Sequence, residues 1–152
     1  MAWQTYKMNV AGPDHHQPEL ASLMTEPNPD YNLTKAEMID DLDLDDRVYQ
    51  YEITTCALQI RHERGNPYDP AALQVFADGV FIGYVPAGNL QLLDQISRRP
   101  GLSMYVEVYG GKYKYLEHDD EADPFLEFQP KHFKVLTGST PYRATMFFRW
   151  KV

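Results

Sequence analysis

The chain has 152 residues, a single cysteine and a formal net charge of -8, a length that suits one domain able to bury a core without staples. One cysteine excludes an intramolecular disulfide and any Cys-x-x-Cys metal motif and points to a reducing compartment, while the acid excess argues against broad, sequence-blind affinity for nucleic acid. No apolar run approaches the roughly 18 residues of a membrane span, and residues 1–5 lack a basic start followed by an apolar core, so a cytoplasmic protein with no membrane association is expected.

Residues 3–10 alternate weakly and read as a first strand, closed by Gly12-Pro13-Asp14. His15 and His16 follow, either as two surface loop histidines or with His15 as an aromatic for a base. Pro18 early and apolar residues at three and four spacing predict a short helix over 17–24, broken by Glu26-Pro27-Asn28-Pro29-Asp30. Thr34 and Glu37 form a capping box, with Leu33 and Met38 as a hydrophobic staple, which predicts a helix over 35–41. Asp41, Asp43, Asp45 and Glu52 mimic a calcium loop, but the sixth position is Asp46 rather than glycine. Residues 47–53 follow in strand order, so this is a solvated acidic loop.

Strands are predicted over 48–54 and 57–60, with Cys56 between them as a small buried hydrophobe. Arg61 and Arg64 come next, placed to reach a phosphate or to pair with Glu63 or the acidic runs. The most constrained stretch is Asn66-Pro67-Tyr68-Asp69-Pro70. Each proline fixes its own φ and pushes the residue before it toward extended geometry, so no helix forms there. A loop held so firmly presents a phenol and a carboxylate side by side at low entropic cost. Residues 73–76 then alternate, Asp78-Gly79 is a type I′ hairpin signal, and residues 80–85 return.

Residues 87–96 read as a helix with Leu90, Leu93 and Ile96 on one face, ended favourably by Arg98 and Arg99. Residues 104–109 read as a strand, Gly110-Gly111 as a turn, and Lys112-Tyr113-Lys114-Tyr115 as the return strand. Lysines and tyrosines together would supply backbone charge and stacking, although alternation places them on opposite faces. The other reading puts the tyrosines in the core and the lysines in water. Residues 132–136 and 143–152 finish as strands, with Met146-Phe147-Phe148 entering the core. Acids cluster over 40–46 and 117–123, whereas from residue 131 onward Lys131, Lys134, Arg143, Arg149 and Lys151 stand without any Asp or Glu, so one face can still be basic.

Residues 61–72, with Asn-Pro-Tyr-Asp-Pro at their centre, and Gly79-Val80-Phe81-Ile82-Gly83-Tyr84 at hairpin spacing together resemble the HIRAN domain family. The likeness extends more loosely over residues 3–115, Val10-Ala11-Gly12 resembling the end of the family's first strand and Tyr109-Gly110-Gly111-Lys112-Tyr113-Lys114-Tyr115 a later hairpin. It implies a β-rich α+β fold: an OB-like, partly open β-barrel of six or seven strands with about three short helices. One HIRAN-like domain would span residues 1–152, the C-terminal strands over 131–152 completing the sheet. The resemblance also implies recognition of single-stranded DNA by its 3′-hydroxyl end, in DNA repair or processing. It would have Tyr68 stack on the terminal base and Asp69 accept from the hydroxyl. An ionised carboxylate is acceptor-only, which suits a free hydroxyl and repels a continuing phosphate. Tyr84 and a tyrosine of the second hairpin, Tyr113 or Tyr115, would close the pocket, with Arg64, Lys112 or Lys114 meeting phosphates and His15 near a base. Where DNA-binding members of the family place a cation and an aromatic, this chain has Asp14 and His15. Where they place a lysine after the Gly-aromatic pair, it has Pro86-Ala87-Gly88.

No catalytic constellation, phosphate loop or metal-ligand cluster is present, so an enzyme is not expected, nor a cofactor or metal. A metal-dependent nuclease using Asp69 and His62 is disfavoured on that ground. The alternative to a DNA-end binder is an interaction module of HIRAN-like fold that has lost DNA affinity and meets a basic protein partner.

Overall fold

The structure, a computed structural model, describes residues 2–119 and 133–152. Seven strands and three short helices follow in chain order: β1 (Trp3–Asn9), α1 (Gln17–Leu23), α2 (Lys35–Asp41), β2 (Val48–Tyr49), β3 (Thr54–His62), β4 (Leu73–Ala77), β5 (Val80–Tyr84), α3 (Leu90–Ser97), β6 (Ser103–His118) and β7 (Phe133–Lys151). The strands lie in the order β1-β7-β6-β3-β4-β5, with β2 pairing β6 off that path. The chain divides into two compact units: residues 1–24, 53–109 and 141–152 form the first, and residues 25–52 and 110–140 the second.

The first unit is a partly open β-barrel. β3 is its corner strand, because Thr54 to Ala57 pair with β6 while Leu58 to His62 pair with β4. The sheet order has β1 and β5 at its two ends, yet the chain just beyond β1 meets β5 in a two-hydrogen-bond bridge. The Ala11 amide donates to the Tyr84 carbonyl at 2.7 Å and the Tyr84 amide to the Ala11 carbonyl at 2.9 Å. Gly83, at φ 149°, permits that approach, since a Cβ there would collide with the Ala11 carbonyl and lie 2.6 Å from Val10 Cγ1. Period-two alternation sends Met8 and Val10, Cys56 and Leu58, Val75 and Ala77, Val106 and Val108, and Met146 and Phe148 inward, all buried. The Asp78-Gly79 hairpin has φ 48° and 83°, as a type I′ turn requires, and Asp78 Oδ1 also accepts from the Ala57 amide at 2.7 Å.

In the second unit the Thr34 capping box is complete: Thr34 Oγ1 accepts from the Glu37 amide at 3.2 Å and Glu37 Oε1 from the Thr34 amide at 3.0 Å. The Thr34 backbone N–H holds the Glu37 carboxyl below its ordinary pKa. Among the described residues no helix is long and apolar enough to cross a membrane.

Four expectations are corrected. Gly110-Gly111 is not a turn, because β6 runs unbroken through both at φ 114° and 92°. Two consecutive positive-φ glycines suit a hairpin or a kinked strand equally. Residues 105–108 pair with Thr54–Ala57 and residues 113–114 with Val48 and Tyr49, with the Gln50 amide donating to the Lys112 carbonyl at 2.9 Å. The first of the two strands predicted in the middle shrinks to two residues, and the second grows to nine with Cys56 inside it. The helix over 87–96 opens as a 3-10 turn at Ala87–Asn89. The two C-terminal strands are one, Phe133–Lys151. Lys131 and His132, and residues 120–123 of the acidic run, lie outside the described residues.

Candidate functional site

The loop from β3 to β4 is held by its own side chains. Beyond the last β3–β4 pair, the Glu63 amide still donates to the Ala72 carbonyl at 3.0 Å. Within this neck, Asn66 Oδ1 accepts from the backbone amides of both Tyr68 (2.8 Å) and Asp69 (2.9 Å), an Asx turn. Asn66 Nδ2 donates to Glu63 Oε2 at 2.7 Å. Asp69 repeats the device one turn on: its Oδ1 accepts from the Ala71 amide at 2.9 Å and its carbonyl from the Ala72 amide at 3.1 Å. His62 Nε2 lies 2.6 Å from the Pro70 carbonyl, completing the brace. With both prolines fixing φ, the loop is preorganised from three directions.

The loop projects one side chain away from all of this. Tyr68 is 96% exposed, so its ring has no structural use in the unit. Asp69 is half-buried beside it, with Oδ2 taking no hydrogen bond among the described residues. Arg64 is exposed and forms no ion pair among the described residues. Tyr84 stands at the base of the loop, where its hydroxyl hydrogen-bonds the Glu63 carboxylate; that bond, then burial, raises the phenol above its ordinary pKa. Glu63 therefore joins Tyr84 to Asn66, and through Asn66 to the backbone of Tyr68 and Asp69.

Below Tyr84 the hairpin carries an aromatic cluster. Phe81 meets Tyr84 edge-on at 5.4 Å between ring centroids, Phe76 at 5.5 Å and His16 at 4.5 Å. The Arg61 guanidinium lies 4.7 Å over Phe76 and donates to Gln59, not to Glu63. His15, the histidine singled out in the sequence, is exposed at the end of a 3-10 turn, and it is His16 that packs on the hairpin.

Lys112, Tyr113, Lys114 and Tyr115 belong to the second unit. There Lys114 is committed to Tyr31, its Nζ 4.1 Å over the ring and donating to the Tyr31 carbonyl at 2.9 Å. Tyr113 lies 5.4 Å from Tyr49 and 5.9 Å from Tyr115, with the Arg47 guanidinium 4.5 Å over its ring. Lys112 is exposed. The structure thus joins Tyr68, Asp69 and Tyr84 into one hydrogen-bonded group and gives Tyr113, Lys114 and Tyr115 packing roles of their own.

Glu63, His16 and Phe81 were named in the sequence but not among the expected site residues. The Glu63-x-x-Asn66 spacing was the available signal for the first, since a turn brings residues three apart together; the two rings depend on pairing across β4 and β5. Among the described residues no group of three or more His, Cys, Asp or Glu is placed to hold a metal. No family model, no curated protein and no solved structure matches this chain.

Proposed function

We propose that this protein is a nucleic-acid-binding module that recognises single-stranded DNA at its 3′-hydroxyl end through the β3–β4 loop. The observation that carries the reading is Tyr68, a 96% exposed aromatic on a loop whose backbone is pinned at Tyr68 and Asp69 by Asn66. An aromatic ring held rigid in water is a stacking platform that loses little entropy on binding. In this reading Tyr68 stacks on the terminal base, Asp69 Oδ2 accepts from the 3′ hydroxyl, and Arg64 meets the phosphate behind it. Tyr84 supports the loop through Glu63. The HIRAN resemblance of residues 61–72 and 79–84 supports the same assignment, and with it a HIRAN-like domain acting in DNA repair or processing in the cytoplasm. The reading makes the protein a binder with no catalytic step.

The net charge of -8 favours one other reading, a protein-interaction module whose partner surface is basic. Fluorescence anisotropy with a labelled oligonucleotide separates the two. Ends carrying a 3′ hydroxyl or a 3′ phosphate are compared for the wild type and for Asp69→Asn, which keeps the Oδ1 acceptor that caps Ala71 while removing the charge. Preference for the hydroxyl, reduced in Asp69→Asn, is the expected result. Equal binding to the two ends, or none, refutes end recognition.

A further inference from the structure

The outward face of β1 and β7 gathers cations and aromatics. The register Trp3↔Lys151, Thr5↔Arg149, Lys7↔Phe147, Asn9↔Thr145 places these residues together on the side opposite buried Met8, Met146 and Phe148. The Arg149 and Lys151 head groups lie 4.9 and 5.1 Å from the ring centroid of Trp3, which is 48% exposed. Lys7 lies 5.3 Å from the Phe147 ring, which stacks on Tyr105 of β6 at 4.8 Å and an interplanar angle of 4°. Glu107 is the acid that β6 adds to this face. Arg143 is set apart, since it shares a cleft of about 210 Å³ with Asp14.

Acids outnumber bases 22 to 14 in this chain, yet Lys7, Arg149 and Lys151 form no ion pair among the described residues. The ion pair found there is Arg98–Asp94, elsewhere. A cation seated on a ring uses the flat π face and leaves N–H donors at its edge for a phosphate oxygen. Outward residues recur about every 6.8 Å along an antiparallel strand, a repeat close to that of an extended nucleotide chain. An acidic peptide would satisfy the cations but not Trp3, whereas a single strand offers both phosphates and unstacked bases.

We propose that this face is a second nucleic-acid surface, holding the backbone of a single strand along its length and indifferent to where the strand ends. It does not rest on the loop, because a covalently closed single-stranded DNA circle has no 3′ end to recognise. The test is anisotropy of such a circle over a salt series. Wild type and Tyr68→Ala should bind it alike. In Arg149→Gln/Lys151→Gln the slope of log K against log salt should fall by about 1.4, at roughly 0.7 for each phosphate no longer neutralised. Lys151→Gln alone, at an exposed strand end, should show about half of that fall, and Arg149→Lys should keep the wild-type slope. No binding of the circle, or an unchanged slope in the folded double variant, overturns the proposal. So does tighter binding of a polyglutamate of equal charge, which would assign the face to an acidic protein.

Discussion

Asn66→Ala is the perturbation that most directly probes how the loop is built. It removes two neutral hydrogen bonds, from the Tyr68 and Asp69 amides, and one donated to the Glu63 carboxylate. Neutral bonds are worth about 0.5–1.5 kcal/mol net and one to a charged group about 1.5–3, for a gross sum of roughly 2.5–6 kcal/mol. Water reaches much of this loop and replaces part of that sum, so the expected destabilisation is about 2 kcal/mol, just below the range. The assay is amide hydrogen exchange by NMR, in which 2 kcal/mol of local opening is about a 30-fold loss of protection at Tyr68 and Asp69. Asn66→Asp keeps Oδ1, and with it both amides' protection, but sets a second carboxylate against Glu63, so its stability should fall as pH rises through the carboxylate range. Unchanged protection of both amides in Asn66→Ala would refute the view that this side chain holds the loop. DNA affinity should fall in Asn66→Ala even though Asn66 touches no ligand in the proposed mode.

Tyr68→Ala should leave the thermal midpoint essentially unchanged, because the ring is almost fully exposed, and should cost about 1–3 kcal/mol of affinity at the loop site for a strand with a free 3′ hydroxyl. Loss of stability instead would mean that the ring packs in solution. Gly83→Ala should destabilise by more than about 2 kcal/mol, combining backbone strain with a forced retreat of Ala11. Gly79→Ala, whose added methyl meets nothing, should cost only about 1–2 kcal/mol in the same urea titrations, and a reversed ranking would discount the Ala11–Tyr84 bridge. Burial first, then Asp78, pushes the Cys56 thiol up to about 11. The folded state therefore keeps a proton that the unfolded state releases, and the stability this contributes is lost as pH rises from about 9 toward 11. Alkylation of Cys56 at pH 8 should proceed only through unfolding, so rapid labelling of the native protein would contradict its burial.

What is legible in this chain follows from which of its interactions are local. The Thr34–Glu37 capping box, the Asp78-Gly79 turn and the Pro67–Pro70 bracket each involve residues within three positions, so covalent geometry and short-range hydrogen bonding determine them before any tertiary contact exists. Local chemistry therefore settles α2, the β4–β5 hairpin and the stiff loop with Tyr68 and Asp69 at its tip. The chain's period-two alternation also carried the β-rich content, while the partly open barrel entered only as what the resemblance of its central stretch implies. Tertiary structure decided what local chemistry leaves degenerate. Gly110-Gly111 satisfies a turn and a kinked strand equally, and the pairing of residues 105–108 with β3 and of residues 113–114 with β2 goes with the strand. Lys114 is equally a phosphate ligand or a partner for Tyr31 until the chain brings Tyr31 beneath it. The grouping of Trp3 with Arg149 and Lys151 joins residues almost the whole chain apart, which only the pairing of β1 with β7 creates. Backbone pairing across such distances depends on the sum of all core packing, and no local pattern of side chains encodes it.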